Sequence, residues 1–191
     1  MNSETKDFTL FVKKIFNDFF VKKLVLDVGI QNSNGNNRFL FNNDCEYHVN
    51  NEIYSNNVTI ITKTQDLPFR DNTFDTIIYT EKFEDNLEYK LSFIKNYSML
   101  KPNGLFCFTC ASNNKKNIET IDTPSLSSYN LTEIDLNDVL PLYNSFTVWD
   151  TYYNNISKDF YFVGIKKGDT IFPPLVKYIK KGVENTSINI Y

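Results

Sequence analysis

The amino-acid sequence predicts an α/β fold built on a mostly parallel, seven-stranded sheet that ends in an antiparallel hairpin. A continuous aliphatic strand, Leu24-Val25-Leu26-Asp27-Val28-Gly29, leads into a turn rich in glycine and asparagine at residues 32–37. Continuous apolar runs of this kind are typical of strands buried on both faces of a parallel sheet. Strand-like and helix-like segments then alternate along the chain, which favours a parallel sheet covered by helices on both sides.

The individual elements follow from periodicity and from turn residues. Strands are predicted at 21–29, 45–49, 58–62, 76–80, 105–110, 146–153 and 160–166. The last two flank Asn154-Asn155, which predicts an antiparallel hairpin. Helices are predicted at 4–20, at 87–100 with Leu91, Ile94 and Tyr97 on one side, and at 132–140 with a capping box between Thr132 and Asp135. The residues 101–104 between a helix and a strand predict a turn.

The chain of 191 residues fits one domain, 1–191, with a sizeable core. We expect an N-terminal amphipathic helix within 1–20, a core at 21–166 and a C-terminal extension at 167–191. The helix has one wide, phenylalanine-rich stripe, which predicts packing against the sheet; a dimer face is the alternative. The polar segment 113–128 is interpreted as a lid over a site or as a plain surface loop.

Composition excludes several classes of partner. The net charge of -3 provides no basic surface for a nucleic-acid backbone, and no apolar stretch approaches the ~20 residues needed to cross a bilayer. The N-terminus lacks the pattern of a signal peptide, and an odd number of cysteines, three, suits a reducing compartment, so a cytoplasmic location is expected. The abundance of asparagine is typical of an AT-rich coding sequence, such as that of a large DNA virus or a protist.

The cysteines and the histidine give little support for a metal site or a redox function. Cys107 and Cys110 are spaced as Cys-x-x-Cys, but inside a strand their side chains point to opposite faces. No second cysteine pair and no nearby histidine completes a zinc site, so no metal is expected. His48, the only histidine, is interpreted as a surface or structural residue, with a catalytic base as the alternative.

Four motifs follow one another in a fixed order. They are Leu26-Asp27-Val28-Gly29; Leu67-Pro68-Phe69 with Asp71-Asn72-Thr73-Phe74-Asp75; Thr80-Glu81-Lys82-Phe83-Glu84; and Leu100-Lys101-Pro102-Asn103-Gly104. Together they resemble the class I S-adenosylmethionine-dependent methyltransferases, and among these the methyltransferase type 11 group. The turn at 34–41 and the strand end at 108–112 are similar to a bacterial subgroup in which Asn-Gly replaces the usual second glycine. The resemblance covers residues 24–166 and implies a Rossmann-like fold with S-adenosylmethionine as cofactor.

The resemblance also implies roles for individual residues. The methionine part of the cofactor is assigned to Asp27, Gly29, Asn34 and Gly35; the ribose to Asn51 or Glu52; and the adenine to Thr64, Gln65, Asp66 and Leu67. Thr80 and Glu81 are placed beneath the methyl donor. For a transfer that needs a base, Glu84 and Asp85 are the candidates, with Glu81 behind them.

Three positions depart from the pattern of that family. Asn51 stands where an acid usually accepts the ribose hydroxyls, Lys63 where an acid usually accepts the adenine amino group, and Asp85 where a histidine is usual. The implied activity is methyl transfer to a small molecule, with a sugar or glycan hydroxyl preferred. The departures leave open a methyltransferase-like binding or scaffold protein without turnover, or a partner subunit in a homo- or heterodimer with docking through the N-terminal helix.

Overall fold

The computed structural model describes residues 3–29, 36–80, 88–111, 131–155 and 158–170, and these form one seven-stranded sheet. Its strands are β1 (Leu24–Val28), β2 (Glu46–Asn51), β3 (Ile60–Ile61), β4 (Phe74–Thr80), β5 (Leu100–Ala111), β6 (Phe146–Asn154) and β7 (Asp159–Lys166). The order across the sheet is β3-β2-β1-β4-β5-β7-β6. Neighbouring strands are parallel along the series β3-β2-β1-β4-β5. By contrast, β7 pairs antiparallel with both β5 and β6. The predicted fold class is therefore confirmed.

Four α-helices accompany the sheet in the described part of the chain: α1 (Ser3–Ile15), α2 (Tyr89–Met99), α3 (Glu133–Val139) and α4 (Leu142–Ser145). Thr132 and Asp135 form the predicted capping box at the start of α3. The four-residue α4 was not predicted, because a single turn is too short to show an apolar period. Within the described ranges, no helix has both the length and the apolar character to cross a membrane.

Two hydrophobic clusters cover the two faces of the sheet. The first contains Phe93 of α2 and Leu136 of α3, and the second contains Phe8 of α1. Cys110 belongs to the first cluster and Cys107 to the second, so the two thiols point to opposite faces of β5, as predicted. All three cysteines are buried, and none of them forms a disulfide bond among the described residues.

The apolar stripe of α1 packs on the sheet, as the sequence predicts. Phe8 is fully buried and its ring stacks on that of Tyr161 in β7, with the ring centroids 4.7 Å apart. Val12 of α1 lies in the same cluster. The α-helix predicted over 4–20 ends at Ile15, and Phe20, also in this cluster, belongs to a separate 3₁₀ helix, Asn17–Phe20. The sheet therefore covers these side chains of the stripe.

The buried side of α2 differs from the one that the sequence indicates. Leu91 and Ile94 are 53% and 45% exposed, whereas Phe93 and Met99 are fully buried. The buried face also carries Asn96, a polar residue that weakens its apolar pattern. Two rings and a methionine, Tyr89, Phe93 and Met99, together offer more apolar area than the aliphatic pair, so packing selects this face.

Asn96 gives a stability prediction. Its side chain is fully buried, and neither its amide nitrogen nor its amide oxygen has a hydrogen-bond partner among the described residues. Leucine has the same branching without polar atoms, so Asn96→Leu is expected to raise the free energy of unfolding by about 1 to 2 kcal/mol. Chemical denaturation measures this change. Asn144→Leu makes the same substitution at an exposed helical position and should change little; a lower stability for Asn96→Leu would contradict the prediction.

The predicted turn at 101–104 lies inside the range of β5. Leu100 pairs with Phe74 and Leu105 pairs with Thr76, so the residues between them form a bulge in the register of β4 and β5. Asn103 takes a left-handed conformation with φ 63°. Lys101 forms a salt bridge with Asp75, Nζ to Oδ1 2.9 Å. The turn residues were therefore identified correctly, but pairing on both sides of them extends the strand to Leu100.

Candidate functional site

The strand order defines one edge of the sheet as the natural place for a ligand. The chain leaves β1 towards β2 and β3 on one side and then crosses to β4 on the other side. In open α/β sheets, ligands bind outside the carboxyl ends of the strands at this point of reversal. Val28 of β1 pairs with Asn50 of β2 and with Tyr79 of β4, so the three strands end close together. We call the carboxyl ends of β1, β2 and β4 the switch edge.

Asp27 is the centre of a buried polar network at the switch edge. Its Oδ1 accepts a hydrogen bond from Asn37 Nδ2, at 2.9 Å, and its Oδ2 accepts from the backbone N–H of Asn37, also at 2.9 Å. The hydroxyl of Tyr47 also donates to Oδ2. A carboxylate only accepts, so three donors suit its ionised form. These bonds fix the 3₁₀ helix Asn37–Leu40 against β1.

The same network perturbs three titratable groups. Burial raises the pKa of Asp27, while the hydrogen bonds from Tyr47 and Asn37 oppose that rise. Burial and then the charge of Asp27 raise the pKa of the Tyr47 phenol far above its usual range. The same two causes raise the pKa of the Cys107 thiol. Tyr47 and Cys107 therefore stay protonated at neutral pH, which leaves Cys107 without nucleophilic character.

Asn37 joins the two strands that flank the reversal. Besides its bond to Asp27 on β1, its Nδ2 donates to Thr80 Oγ1 at the end of β4, at 3.3 Å. The side chain is buried, and its Oδ1 has no hydrogen-bond partner among the described residues. A buried acceptor without a donor lowers the stability of the fold. It therefore marks a place where a ligand can supply the missing donor.

Gly29 follows β1 in a conformation that favours glycine. Its φ is 88°, and its N–H donates to the backbone oxygen of Asn50, at 3.1 Å. A side chain at this position would be strained, so glycine keeps the backbone close and unobstructed. Gly29 therefore lies where the sequence predicts. Asn34 and Gly35, assigned to the same part of the cofactor, lie outside the described residues.

The end of β2 is held by asparagine side chains. Asn51 Oδ1 accepts from the backbone N–H of Glu52, at 2.9 Å, and the Glu52 side chain is exposed. Asn50 is buried and donates through Nδ2 to the backbone oxygens of Ile60 and Thr62, at 3.3 and 2.9 Å. Asn50 thus ties the segment after β3 to the switch edge.

The residues assigned to adenine binding form a short 3₁₀ helix, Thr64–Asp66, followed by Leu67. Thr64 and Leu67 are buried, Gln65 is half-buried and Asp66 is exposed. Thr64 Oγ1 donates to Asn50 Oδ1, at 3.4 Å. The helix is therefore bonded directly to the end of β2, beside the position assigned to the ribose.

Lys63 lies on the surface and forms a salt bridge. Its Nζ is 3.3 Å from Glu88 Oε2, and both side chains are largely exposed. The Gln65 amide donates to the same carboxylate oxygen of Glu88. The ammonium group of Lys63 therefore has a partner at the start of α2.

The predicted catalytic residues Glu81, Glu84 and Asp85 lie outside the described residues. Sequence reasoning missed Asn37, Tyr47 and Asn50, whose contacts build the switch edge. Asparagine is common throughout this chain, so its presence at positions 37 and 50 carried no signal. For Tyr47 the sequence did contain a signal, namely the alternation of side chains along β2. This alternation places Tyr47 and Val49 on the same face as their pairing partners Val25 and Asp27.

His48 has a packing role. Its ring lies against those of Phe69 and Phe74, with centroid distances of 5.8 and 6.1 Å, and its Nε2 is 3.1 Å from Glu46 Oε1. In the ranges that the structure describes, histidine, cysteine and acidic side chains form no group of three or more that could hold a metal ion.

Comparison with solved structures defines the class of fold. A 1,6-didemethyltoxoflavin-N1-methyltransferase from Burkholderia thailandensis, solved with S-adenosylhomocysteine, has a TM-score of 0.61 at 10% identity, covering 87% of this chain and 79% of that one. An S-adenosylmethionine-dependent methyltransferase from Methanosarcina mazei has a TM-score of 0.60 at 11% identity, covering 81% and 98%. The [4+2]-cyclase SpnF has a TM-score of 0.61 at 12% identity, covering 84% and 81%.

The chain therefore has the class I methyltransferase fold, as the motif order predicts. No protein-family model and no curated protein matches the sequence. The narrower resemblance to the type 11 group stays a prediction. Because a cyclase is among the similar structures, the fold alone does not define the reaction.

Proposed function

We propose that the chain binds S-adenosylmethionine at the switch edge and transfers its methyl group to a small molecule. The observation that carries the proposal is the buried acceptor Asn37 Oδ1, which lies at the reversal between β1 and β4 and has no donor among the described residues. The cofactor brings donor groups to this edge in its ammonium, hydroxyl and amino groups. The class I methyltransferase fold supports the same ligand.

Each group of residues has a proposed task. Gly29 leaves the backbone after β1 accessible to the methionine part. Asn51 or Glu52, at the end of β2, binds the ribose, and Thr64 with Leu67 provides a wall for the adenine. Asn34 and Gly35 are assigned to the methionine part, and Gln65 and Asp66 to the adenine, by the resemblance alone.

The chemistry requires little of the protein beyond alignment. When bound, the cofactor supplies a methyl group that a lone pair of the acceptor attacks in line, while the carbon–sulfur bond breaks and its electron pair stays on sulfur. The chain contributes by holding donor and acceptor in line and by excluding water. For a hydroxyl acceptor, the proton leaves to a base, and Glu84, Asp85 and Glu81 are the proposed bases. We propose a sugar or glycan hydroxyl as the acceptor, on the resemblance alone.

A competing proposal is a methyltransferase-like binding protein without turnover. Two features support it. By the resemblance, Asn51 stands where the family has a carboxylate, and its side-chain oxygen already accepts from Glu52. By the same resemblance, Lys63 stands where the family has an acid for the adenine, and it pairs with Glu88 instead. Either role is compatible with a homo- or heterodimer. Nucleic acid is not a proposed partner of either, because the net charge is negative.

Two assays in sequence test the proposal. Excess S-adenosylmethionine should raise the melting temperature, because a ligand at 100 times its dissociation constant adds about 2.7 kcal/mol. Methyl groups labelled with tritium should then pass from the cofactor into a small-molecule fraction. If S-adenosylmethionine stabilises the chain but no methyl group is transferred to any member of a broad acceptor pool, the binding protein without turnover is supported. No stabilisation at all contradicts the methyltransferase and supports the protein without turnover, in which Asn51 and Lys63 weaken cofactor binding.

Asn51→Asp is expected to raise the affinity for S-adenosylhomocysteine by about tenfold. A carboxylate accepts two ribose hydroxyls more strongly than an amide, by roughly 1.4 kcal/mol or more. The shape is unchanged, and the new carboxylate can still accept from the Glu52 N–H. Calorimetry measures the affinity, with Asn57→Asp at an exposed position as a control for added charge. Equal affinities for wild type and Asn51→Asp would contradict the ribose assignment.

A further inference from the structure

The orientation of the Asn37 amide is fixed by its neighbours. One end of the amide faces Asp27 Oδ1, at 2.9 Å. That end must be the NH₂ group, because a carboxylate oxygen cannot donate and an amide oxygen placed there would face an acceptor. The same NH₂ group donates to Thr80 Oγ1, at 3.3 Å. The other end is therefore the oxygen, and its identity does not depend on an arbitrary choice of amide flip.

The surroundings of the free oxygen favour one kind of partner. Asn37 is 1% exposed, and its Oδ1 has no donor among the residues that the structure describes. The adjacent Asp27 carboxylate is fully buried and forms no salt bridge with any described cation. A buried negative charge beside an open acceptor favours a donor that is positively charged.

We propose that Asn37 Oδ1 accepts a hydrogen bond from the α-ammonium group of the methionine part of the cofactor, a role that rests on the proposed function. The ammonium is the cofactor group that combines a positive charge with hydrogen-bond donors. Asn37 is then the specificity residue for an amino-acid-bearing nucleoside. Asp27 acts through Asn37 as a positioning residue, because its carboxylate accepts hydrogen bonds from both the side-chain Nδ2 and the backbone N–H of Asn37.

The test compares three ligands on the full chain by calorimetry. S-Adenosylhomocysteine carries the α-amino group, its deamino analogue lacks only that group, and 5′-methylthioadenosine lacks the entire amino-acid part. Wild type should bind the deamino analogue at least tenfold more weakly than S-adenosylhomocysteine, since hydrogen bonds to charged groups are strong. Asn37→Ser should weaken S-adenosylhomocysteine by a similar factor and leave 5′-methylthioadenosine unchanged.

Asn144→Ser is the matched control, because it makes the same substitution at an exposed position in α4, outside the switch edge. It should change the affinity for none of the three ligands. Equal binding of S-adenosylhomocysteine and its deamino analogue by wild type would overturn the inference, even if Asn37→Ser fails to fold. An equal loss for all ligands in a folded Asn37→Ser would also overturn it. If wild type binds no S-adenosylhomocysteine, the proposed function itself fails.

Discussion

Asp27→Leu is expected to lower the free energy of unfolding by about 3 to 5 kcal/mol, because three buried donors lose their acceptor. These donors are the Tyr47 hydroxyl and the backbone and side-chain N–H groups of Asn37. Leucine matches aspartate in branching, so it leaves no cavity where water could take over the hydrogen bonds. For a chain of this size the melting temperature should fall by roughly 10 °C or more.

Tyr47→Phe provides the comparison for this substitution. It removes one donor and leaves the carboxylate with both hydrogen bonds from Asn37, so the expected loss is about 1 kcal/mol. Urea denaturation followed by circular dichroism measures both variants. If Asp27→Leu were no less stable than Tyr47→Phe, the carboxylate would not hold the 3₁₀ helix Asn37–Leu40 against the sheet.

Gly164→Val is expected to destabilise the protein by about 3 kcal/mol, although valine is a better strand former than glycine. Gly164 lies in β7, between Phe106 of β5 and Trp149 of β6. A Cβ atom at this position would lie 2.7 Å from Phe146 Cδ1 and 2.8 Å from Phe162 Cζ. Both atoms belong to buried rings that pack against each other, so neither ring can move aside freely.

A double-mutant cycle separates this clash from other effects of valine. Phe146→Leu makes room beside Gly164. The loss in the free energy of unfolding caused by Gly164→Val should therefore be at least about 1 kcal/mol smaller in that background than in wild type. Thermal or chemical denaturation of the four proteins gives the coupling energy. Additive losses would show that the Phe146 ring is not what excludes a side chain at Gly164.

The fold could be predicted because its strands are continuous aliphatic runs bounded by turn residues. The structure confirms the parallel sheet and the hairpin at Asn154, and it shifts the strand ends by a few residues. The buried side of α2 was predicted incorrectly, because Leu91 and Ile94 have helical spacing but Phe93 takes the place against the sheet. Such a choice depends on which side chain fills the available space, and spacing alone does not contain that information.

The candidate site was predicted only in part. Strand ends can be read from the sequence, so Gly29, Asn51 and Thr80 lie at the switch edge, as the predicted strands require. The contacts that build this edge join residues distant in sequence, such as Asn37 with Thr80 and Asn50 with Thr64. In a chain rich in asparagine, residue type could not identify these positions. The roles assigned to individual site residues stay predictions.

Calorimetric titration of the wild-type chain with S-adenosylhomocysteine, alongside a titration with NAD⁺, tests most directly whether the switch edge is a site for a sulfonium nucleoside. The account predicts one-to-one binding of S-adenosylhomocysteine in the micromolar range and no heat with NAD⁺. Gly29→Val, in a variant shown to be folded, should abolish the signal, because a side chain at φ 88° is strained and obstructs the edge. No heat with S-adenosylhomocysteine at high concentration, or tighter binding of NAD⁺, would contradict the account.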